Sequence, residues 1–149
     1  MTLKSTDINN QTGLFIATYE IGKPQPGAPM FKLQTSVFTP DRTVNGLGHI
    51  HQETNPPVNV VTQMQGTFTY MTVMPNNTHI LVVLNGYANN NNPTNTTFST
   101  TQQPNCELRM ILNDDWKTGT ATYRYRDTQG TWHEVENTPV NLVPGKTLT

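Results

Sequence analysis

Two histidines and a glutamate occupy every second position from His49 to Glu53, and their types and spacing suit metal chemistry. Alternate residues of a β-strand point to the same side, so the imidazoles of His49 and His51 and the Glu53 carboxylate would share one face. Two histidines and a carboxylate form the facial triad that binds iron, and they also suit an open zinc site. The spacing predicts a metal site; the alternative is a solvent-facing pair of polar histidines with Ile50 packed inward.

The remaining candidates for chemistry point away from catalysis. A lone cysteine, Cys106, excludes an intrachain disulfide, and its alternating apolar surroundings predict a buried structural thiol. The serines lack the Gly-x-Ser-x-Gly nucleophile motif. The segment Asn113-Asp114-Asp115 carries oxygen ligands that calcium would accept, and a plain turn is the alternative. These observations favour a protein without enzymatic activity and without a cofactor, apart from the metal hypothesis.

Charge limits the classes of partner. Only 13% of the 149 residues are charged and the formal net charge is −1, so the clustered cations that bind nucleic acid are missing. The longest apolar run, Ile80 to Leu84, is too short to span a membrane. The first residues lack the apolar stretch of a signal peptide, which predicts a cytoplasmic protein, with leaderless export as the alternative.

Two-residue periodicity dominates the chain and predicts an all-β fold. Threonine and other β-branched residues recur in short runs that prolines and glycines interrupt, as in a sandwich or barrel. We expect one domain over residues 1–149, with a loose segment at 1–11 and a C-terminal tail at 144–149. The predicted architecture is an antiparallel β-sandwich of about seven to ten strands, Ig-like or jelly-roll in style.

The predicted strands are separated by turn residues. The proline-rich link from Lys23 to Pro29 cannot be a central strand, because proline lacks a ladder donor. Ile80 to Leu84 is apolar at every position, which predicts a central strand covered on both faces. A polar loop is expected over Asn89–Pro93 and a strand near Phe98. The other predicted strands are Gly13–Gly22, a run around Phe31–Val37, Val44–Gln52 with glycines 46 and 48 inside it, Val58–Gln63, Gly66–Met74 and a run around Cys106–Leu112.

A hairpin near the C-terminus is the most detailed local prediction. Asp127-Thr128-Gln129-Gly130 suits a type I turn in which Gly130 takes positive φ and makes a bulge. That register places Arg124 opposite Glu134 and Arg126 opposite Trp132. The other face then holds Ala121, Tyr123, Tyr125 and Val135.

Several phrases in order resemble a known family. They are Gly13-Leu14-Phe15, Pro26-Gly27-Ala28-Pro29, Val44-Asn45-Gly46, Thr54-Asn55-Pro56-Pro57, Gly66-Thr67-Phe68-Thr69-Tyr70-Met71, His79-Ile80-Leu81-Val82 and Asp115-Trp116-Lys117-Thr118-Gly119-Thr120. Together they resemble a family of small bacterial proteins, the domain of unknown function number 1842. The resemblance implies a compact β domain with no accepted activity, and a segment before Asn55 that does not require a histidine pair.

The leading functional prediction is a non-enzymatic binding or interaction module. A polar, weakly charged surface suits hydrogen bonding to a neutral glycan or to a protein, and self-association into a homo-oligomer would use the same surface. Trp132 and the tyrosines would stack on sugar rings, although pairing with Arg126 also accounts for Trp132. The alternative is a metal-dependent enzyme that uses His49, His51 and Glu53.

Overall fold

The computed structural model describes residues 13–74, 77–88 and 103–144. The loop expected over Asn89–Pro93 and the strand expected near Phe98 lie outside the described residues. The same is true of the segment 1–11 and of all but the first residue of the expected tail, 144–149.

Eight antiparallel strands follow one another in a simple meander that closes on itself. Each strand pairs with its neighbours in the chain, and β8 returns to pair with β1. No helix long and apolar enough to cross a membrane is present in the described residues. The strands are β1 (Leu14–Ile21), β2 (Met30–Phe38), β3 (Thr43–Gln52), β4 (Val58–Met74), β5 (Asn77–Tyr87), β6 (Cys106–Asn113), β7 (Thr118–Arg126) and β8 (Trp132–Leu142).

The predicted β-sandwich is wrong, because the strands form a closed barrel. The all-β class and the antiparallel pairing are correct, and eight strands fall within the expected range. A strand in a sandwich and a strand in a small barrel both bury one face, so both give the same alternation of apolar and polar residues. The two folds differ here in the pairing of Tyr19, Glu20 and Ile21 with Leu142, Asn141 and Val140, which closes the barrel.

The barrel has two different ends. We call the end that carries the connections β1–β2, β3–β4, β5–β6 and β7–β8 the loop end, and the opposite end the turn end. The connections that the structure describes completely at the turn end are short, spanning residues 39–42 and 114–117. The loop end carries the proline-rich connection of residues 22–29, so it offers more surface for binding.

The lumen is filled by side chains, as expected for a barrel of eight strands. Every second residue of β1, β2 and β6 is buried, as the sequence predicts. Aromatic rings meet edge to face across the lumen, and the ring centroids of Phe31 and Tyr123 are 5.0 Å apart. The prediction that Ile80–Leu84 is covered on both faces is wrong: Val83 lies on the outer wall and is 40% exposed.

Glycines allow neighbouring strands of the barrel to lie close together at two positions. A Cβ atom on Gly66 would lie 1.9 Å from the carbonyl oxygen of Val83 on β5. A Cβ atom on Gly119 would lie 2.0 Å from the carbonyl oxygen of Ile111 on β6. The strands therefore approach each other at these positions more closely than any side chain permits. At Gly66 the chain continues as one strand, β4, where the sequence predicts two.

Trp116 closes the turn end of the lumen. It lies in the β6–β7 turn at a φ of 66°, and only 4% of its surface is exposed. Its ring packs edge to face against Phe15 and Phe68, with centroids 5.1 and 5.0 Å away. The Tyr19 hydroxyl donates a hydrogen bond to the Trp116 carbonyl oxygen, at 2.9 Å. The indole thus packs the β6–β7 turn against the core.

The predicted C-terminal hairpin is confirmed. Arg124 lies opposite Glu134, and Arg126 lies opposite Trp132. Gly130 has a φ of 87°, and its N–H donates to the Asp127 carbonyl oxygen. The pKa of Asp127 is lowered because its carboxylate accepts hydrogen bonds from His133 and from backbone N–H groups of the turn.

We expect the barrel to lose stability in alkaline solution. Burial raises the pKa of the Cys106 thiol to about 12, with a smaller effect of Glu107, and burial also raises the pKa values of Tyr19 and Tyr123. Above the ordinary pKa values of these groups the unfolded chain loses protons that the native barrel retains. The unfolded state then binds fewer protons, so the free energy of unfolding falls as pH rises.

Urea unfolding at a series of pH values from neutral to strongly alkaline measures this effect. The variant Cys106→Ala separates the contribution of the thiol, since it retains both tyrosines. In the native protein at neutral pH, Cys106 should not react with a thiol reagent until the barrel unfolds. A urea unfolding midpoint that stays constant up to strongly alkaline pH would contradict the burial of Cys106, Tyr19 and Tyr123.

Candidate binding groove

His49 and His51 lie on the outer wall of the barrel, because the inward positions of β3 belong to Val44, Gly48 and Ile50. Ile50 is fully buried, as the solvent-facing alternative predicts. The two imidazole centroids are 5.6 Å apart. The Nε2 atom of His49 is hydrogen-bonded to the Asn59 side-chain oxygen on β4.

The structure does not gather the predicted metal ligands into one cluster. Glu53 follows the end of β3 and is exposed at the start of the β3–β4 connection. In the part of the chain that the structure describes, no group of three His, Cys, Asp or Glu side chains is arranged to hold a metal ion. The metal site formed by His49, His51 and Glu53 therefore stays a prediction.

A groove of about 360 Å³ lies at the loop end, between the proline-rich connection and the outer wall. We call it the proline-loop groove. The connection contributes residues 23–28 as one side, and the wall is formed by Glu20, Met30, Lys32, His51 and Glu53. It has the volume of a site for a small molecule.

The β1–β2 hairpin and β3 together position the polar groups of this groove. Glu20 on β1 lies directly opposite Lys32 on β2, and Met30 lies directly opposite His51 on β3. The connection is held over the wall by a hydrogen bond from the Gln52 side-chain amide to the Gly27 carbonyl oxygen, at 2.9 Å. The strands thus set the spacing of the polar groups, and the connection forms the other side of the groove.

His51 has an unsatisfied polar atom. Its Nδ1 atom is buried and has no hydrogen-bond partner among the described residues. A buried polar atom without a partner costs free energy, so such atoms are uncommon in native proteins. His49, two residues earlier on the same face, has its partner in Asn59. The two histidines therefore differ: His51 lines the groove, and His49 does not.

Opposite charges balance in the groove. Lys23 and Lys32 face Glu20 and Glu53, and none of the four is in an ion pair within the described ranges. Prolines 24 and 26 add apolar surface beside these groups. The groove therefore offers charged hydrogen-bonding groups of both signs, and its two lysines balance its two glutamates.

The other candidate residues lie elsewhere. Cys106 is a free, buried thiol, as predicted. Trp132 lies on the outer wall with the Arg124 guanidinium 4.7 Å from its ring centroid, so its exposed face is already in contact with a cation. The segment Asn113–Asp115 enters the β6–β7 turn, where the Asp115 carboxylate accepts a hydrogen bond from the Lys117 N–H.

Sequence reasoning missed Glu20 and Lys32 as site residues. The alternation of β1 and β2 indicates that both side chains face outward, and that signal is present in the sequence. Their approach depends on the register of the hairpin, which the long connection does not fix.

The fold and the groove define a small up-and-down β-barrel with a groove on its outer wall. The chain belongs to the family described as Domain of unknown function (DUF1842), whose model matches residues 12–132. The predicted resemblance is thereby confirmed. The match includes β1 to β7 and ends at the first residue of β8. No curated protein matches the chain.

Proposed function

We propose that this protein is a non-enzymatic binding module whose proline-loop groove holds a small, neutral, hydroxyl-rich ligand such as a glycan unit. The observation that carries the proposal is the lining of the groove of about 360 Å³, where His51, two lysines and two glutamates supply hydrogen-bonding groups. Ligand hydroxyls would bond to these side chains, because a hydroxyl both donates and accepts a hydrogen bond.

Balanced charge favours a neutral ligand over an ion. Lysine and glutamate side chains bind sugar hydroxyls well, because each hydroxyl both donates and accepts a hydrogen bond. A phosphate or an ammonium group would meet carboxylates or ammonium groups of its own sign in the same groove. The prolines would contact the C–H faces of a sugar ring.

The test is a calorimetric titration with neutral disaccharides, for which maltose, cellobiose, lactose and chitobiose are suitable probes. We expect at least one of them to bind, and the His51→Ala variant to bind it roughly tenfold more weakly, the value of one lost hydrogen bond. His49→Ala is the matched control, because His49 lies on the same strand and face but does not line the groove. The His49→Ala variant should bind the disaccharide with the affinity of the unmodified protein.

Two results would contradict the proposal. Absence of heat with every disaccharide would remove a neutral sugar as the ligand class. Equal loss of binding in both histidine variants would place the ligand across the histidine pair and outside the groove.

A metal-dependent enzyme that uses His49, His51 and Glu53 is the second candidate, and the closeness of the two imidazoles supports it. Elemental analysis of protein purified without an affinity tag would detect bound zinc or iron. Here both His49→Ala and His51→Ala should lose the metal, so the same pair of variants separates the two candidates. Metal-free protein with no thermal shift on addition of zinc or iron would exclude the enzyme.

A further inference from the structure

The two strands that close the barrel pair over only part of their length. β8 pairs with β7 from Trp132 to Asn141, but its ladder with β1 is limited to Val140, Asn141 and Leu142. The next contact toward the loop end is a single hydrogen bond from the Gly22 N–H to the Pro139 carbonyl oxygen. From Trp132 to Glu136, one side of β8 therefore has no neighbouring strand among the residues described. We call this segment the β8 edge.

A bulge limits the β8 edge and isolates it from the closed part of the barrel. The register with β7 shifts between Ala121 and Tyr123, and Asn137 has a φ of 51°. The Asn137 N–H donates to the Thr122 hydroxyl. The edge is a short extended segment whose backbone donors and acceptors on the side away from β7 pair with no described strand, which is the surface that a β-strand from another chain can pair with.

The charge of the side chains on the β8 edge indicates which kind of strand would pair with it. Glu134 and Glu136 are exposed, and neither is in an ion pair within the described part of the protein. Arg124, which lies opposite Glu134, forms its ion pair with Glu107 at 3.4 Å and stacks on Trp132. The two carboxylates would face alternate residues of an added strand.

We propose that the β8 edge binds an extended peptide segment with lysine or arginine at alternate positions, which joins the barrel as an additional strand. The basic side chains would lie opposite Glu134 and Glu136, and apolar residues between them would lie beside the half-buried Val135. This surface is separate from the proline-loop groove, and the proposal does not depend on a glycan.

A second copy of the chain fits the β8 edge poorly. In an antiparallel pair of two β8 edges, a register centred on Glu134 or Glu136 places that residue opposite its own copy. A register centred on Val135 places Glu134 opposite Glu136 at both ends. Each arrangement sets carboxylates against carboxylates, which destabilises the pairing. In these three registers a basic peptide is favoured over self-association.

The test uses the full chain and a short, fluorescently labelled peptide in which lysine and valine alternate. We expect fluorescence anisotropy to detect binding, and amide hydrogen exchange to slow in the β8 edge. The double variant Glu134→Lys, Glu136→Lys should weaken binding roughly tenfold. The double variant Asp41→Lys, Asp114→Lys is the matched control, because it changes net charge equally at exposed turns and should alter affinity less than about twofold.

Any of four results would overturn the proposal. Equal weakening in both double variants would indicate general electrostatic attraction. Undiminished binding of a peptide whose alternate backbone nitrogens are methylated would exclude strand pairing. Protection of amides outside the β8 edge would assign the peptide to another surface. A dimer that is detected by ultracentrifugation and abolished by the double variant Glu134→Lys, Glu136→Lys would assign the β8 edge to a second copy of the chain.

Discussion

Replacing Trp116 with alanine should lower the free energy of unfolding by about 3–5 kcal/mol, the usual cost of removing a large aromatic side chain from a core. The indole fills the turn end of the lumen and contacts both Phe15 and Phe68. Its removal leaves a cavity that a closed barrel cannot easily collapse, because the strands are fixed by ladders on both sides. Urea denaturation followed by far-ultraviolet circular dichroism measures the loss without relying on tryptophan fluorescence.

The matched control for Trp116 is Trp132→Ala. Trp132 lies on the outer wall, is 37% exposed and contacts Arg124, so its loss should cost only about 1 kcal/mol. A further variant, Trp116→Gly, suits the φ of 66° and tests whether packing or backbone strain determines the effect. If packing dominates, the glycine variant will be as unstable as the alanine variant. Equal stability of the Trp116 and Trp132 alanine variants would contradict the role of Trp116 in the core.

The second large effect is expected for Gly66→Ala, which should cost about 3 kcal/mol. The new methyl group would lie 1.9 Å from the Val83 carbonyl oxygen, and this atom belongs to the backbone of a paired strand. A flexible side chain could move aside, but here β4 and β5 must separate and lose ladder hydrogen bonds. The same denaturation experiment measures the change, and Gly119→Ala should behave alike because its methyl group would meet the Ile111 carbonyl oxygen.

Gly13→Ala provides the comparison for these glycine variants. Nothing lies within 4 Å of a Cβ atom at Gly13, although its φ of 109° disfavours alanine. The expected cost is the backbone strain alone, about 1 kcal/mol. If Gly66→Ala were as stable as Gly13→Ala, close strand approach would not be the reason for glycine in β4.

Much of the local structure was predictable because side-chain alternation and turn chemistry act over short distances. The buried positions of β1 follow from alternation, and the register of the β7–β8 hairpin follows from Gly130 and its charged partners. Closure of the barrel was not predictable in this way, since it depends on pairing between Ile21 and Val140, which no local pattern records. The error at Val83 has the same origin, because an apolar run does not reveal how many faces are covered.

The candidate site was predicted only in part. His51 and Glu53 were singled out for metal binding, and both line the proline-loop groove. The groove itself depends on the path of the proline-rich connection, which the Gln52 side chain holds over the wall. Prolines indicate that this connection is not a strand, but they do not indicate where it lies. Glu20 and Lys32 became site residues only through that path.

The short seam between β1 and β8 has a consequence for the order in which the chain folds. Its three residue pairs join segments that are separated by almost the whole described sequence, whereas every other ladder joins consecutive strands. Each ladder between consecutive strands closes a shorter stretch of chain than the seam does, the longest running from Tyr87 to Cys106. The seam therefore has the largest loop-closure entropy and few contacts to offset it, and we expect it to form after the other ladders.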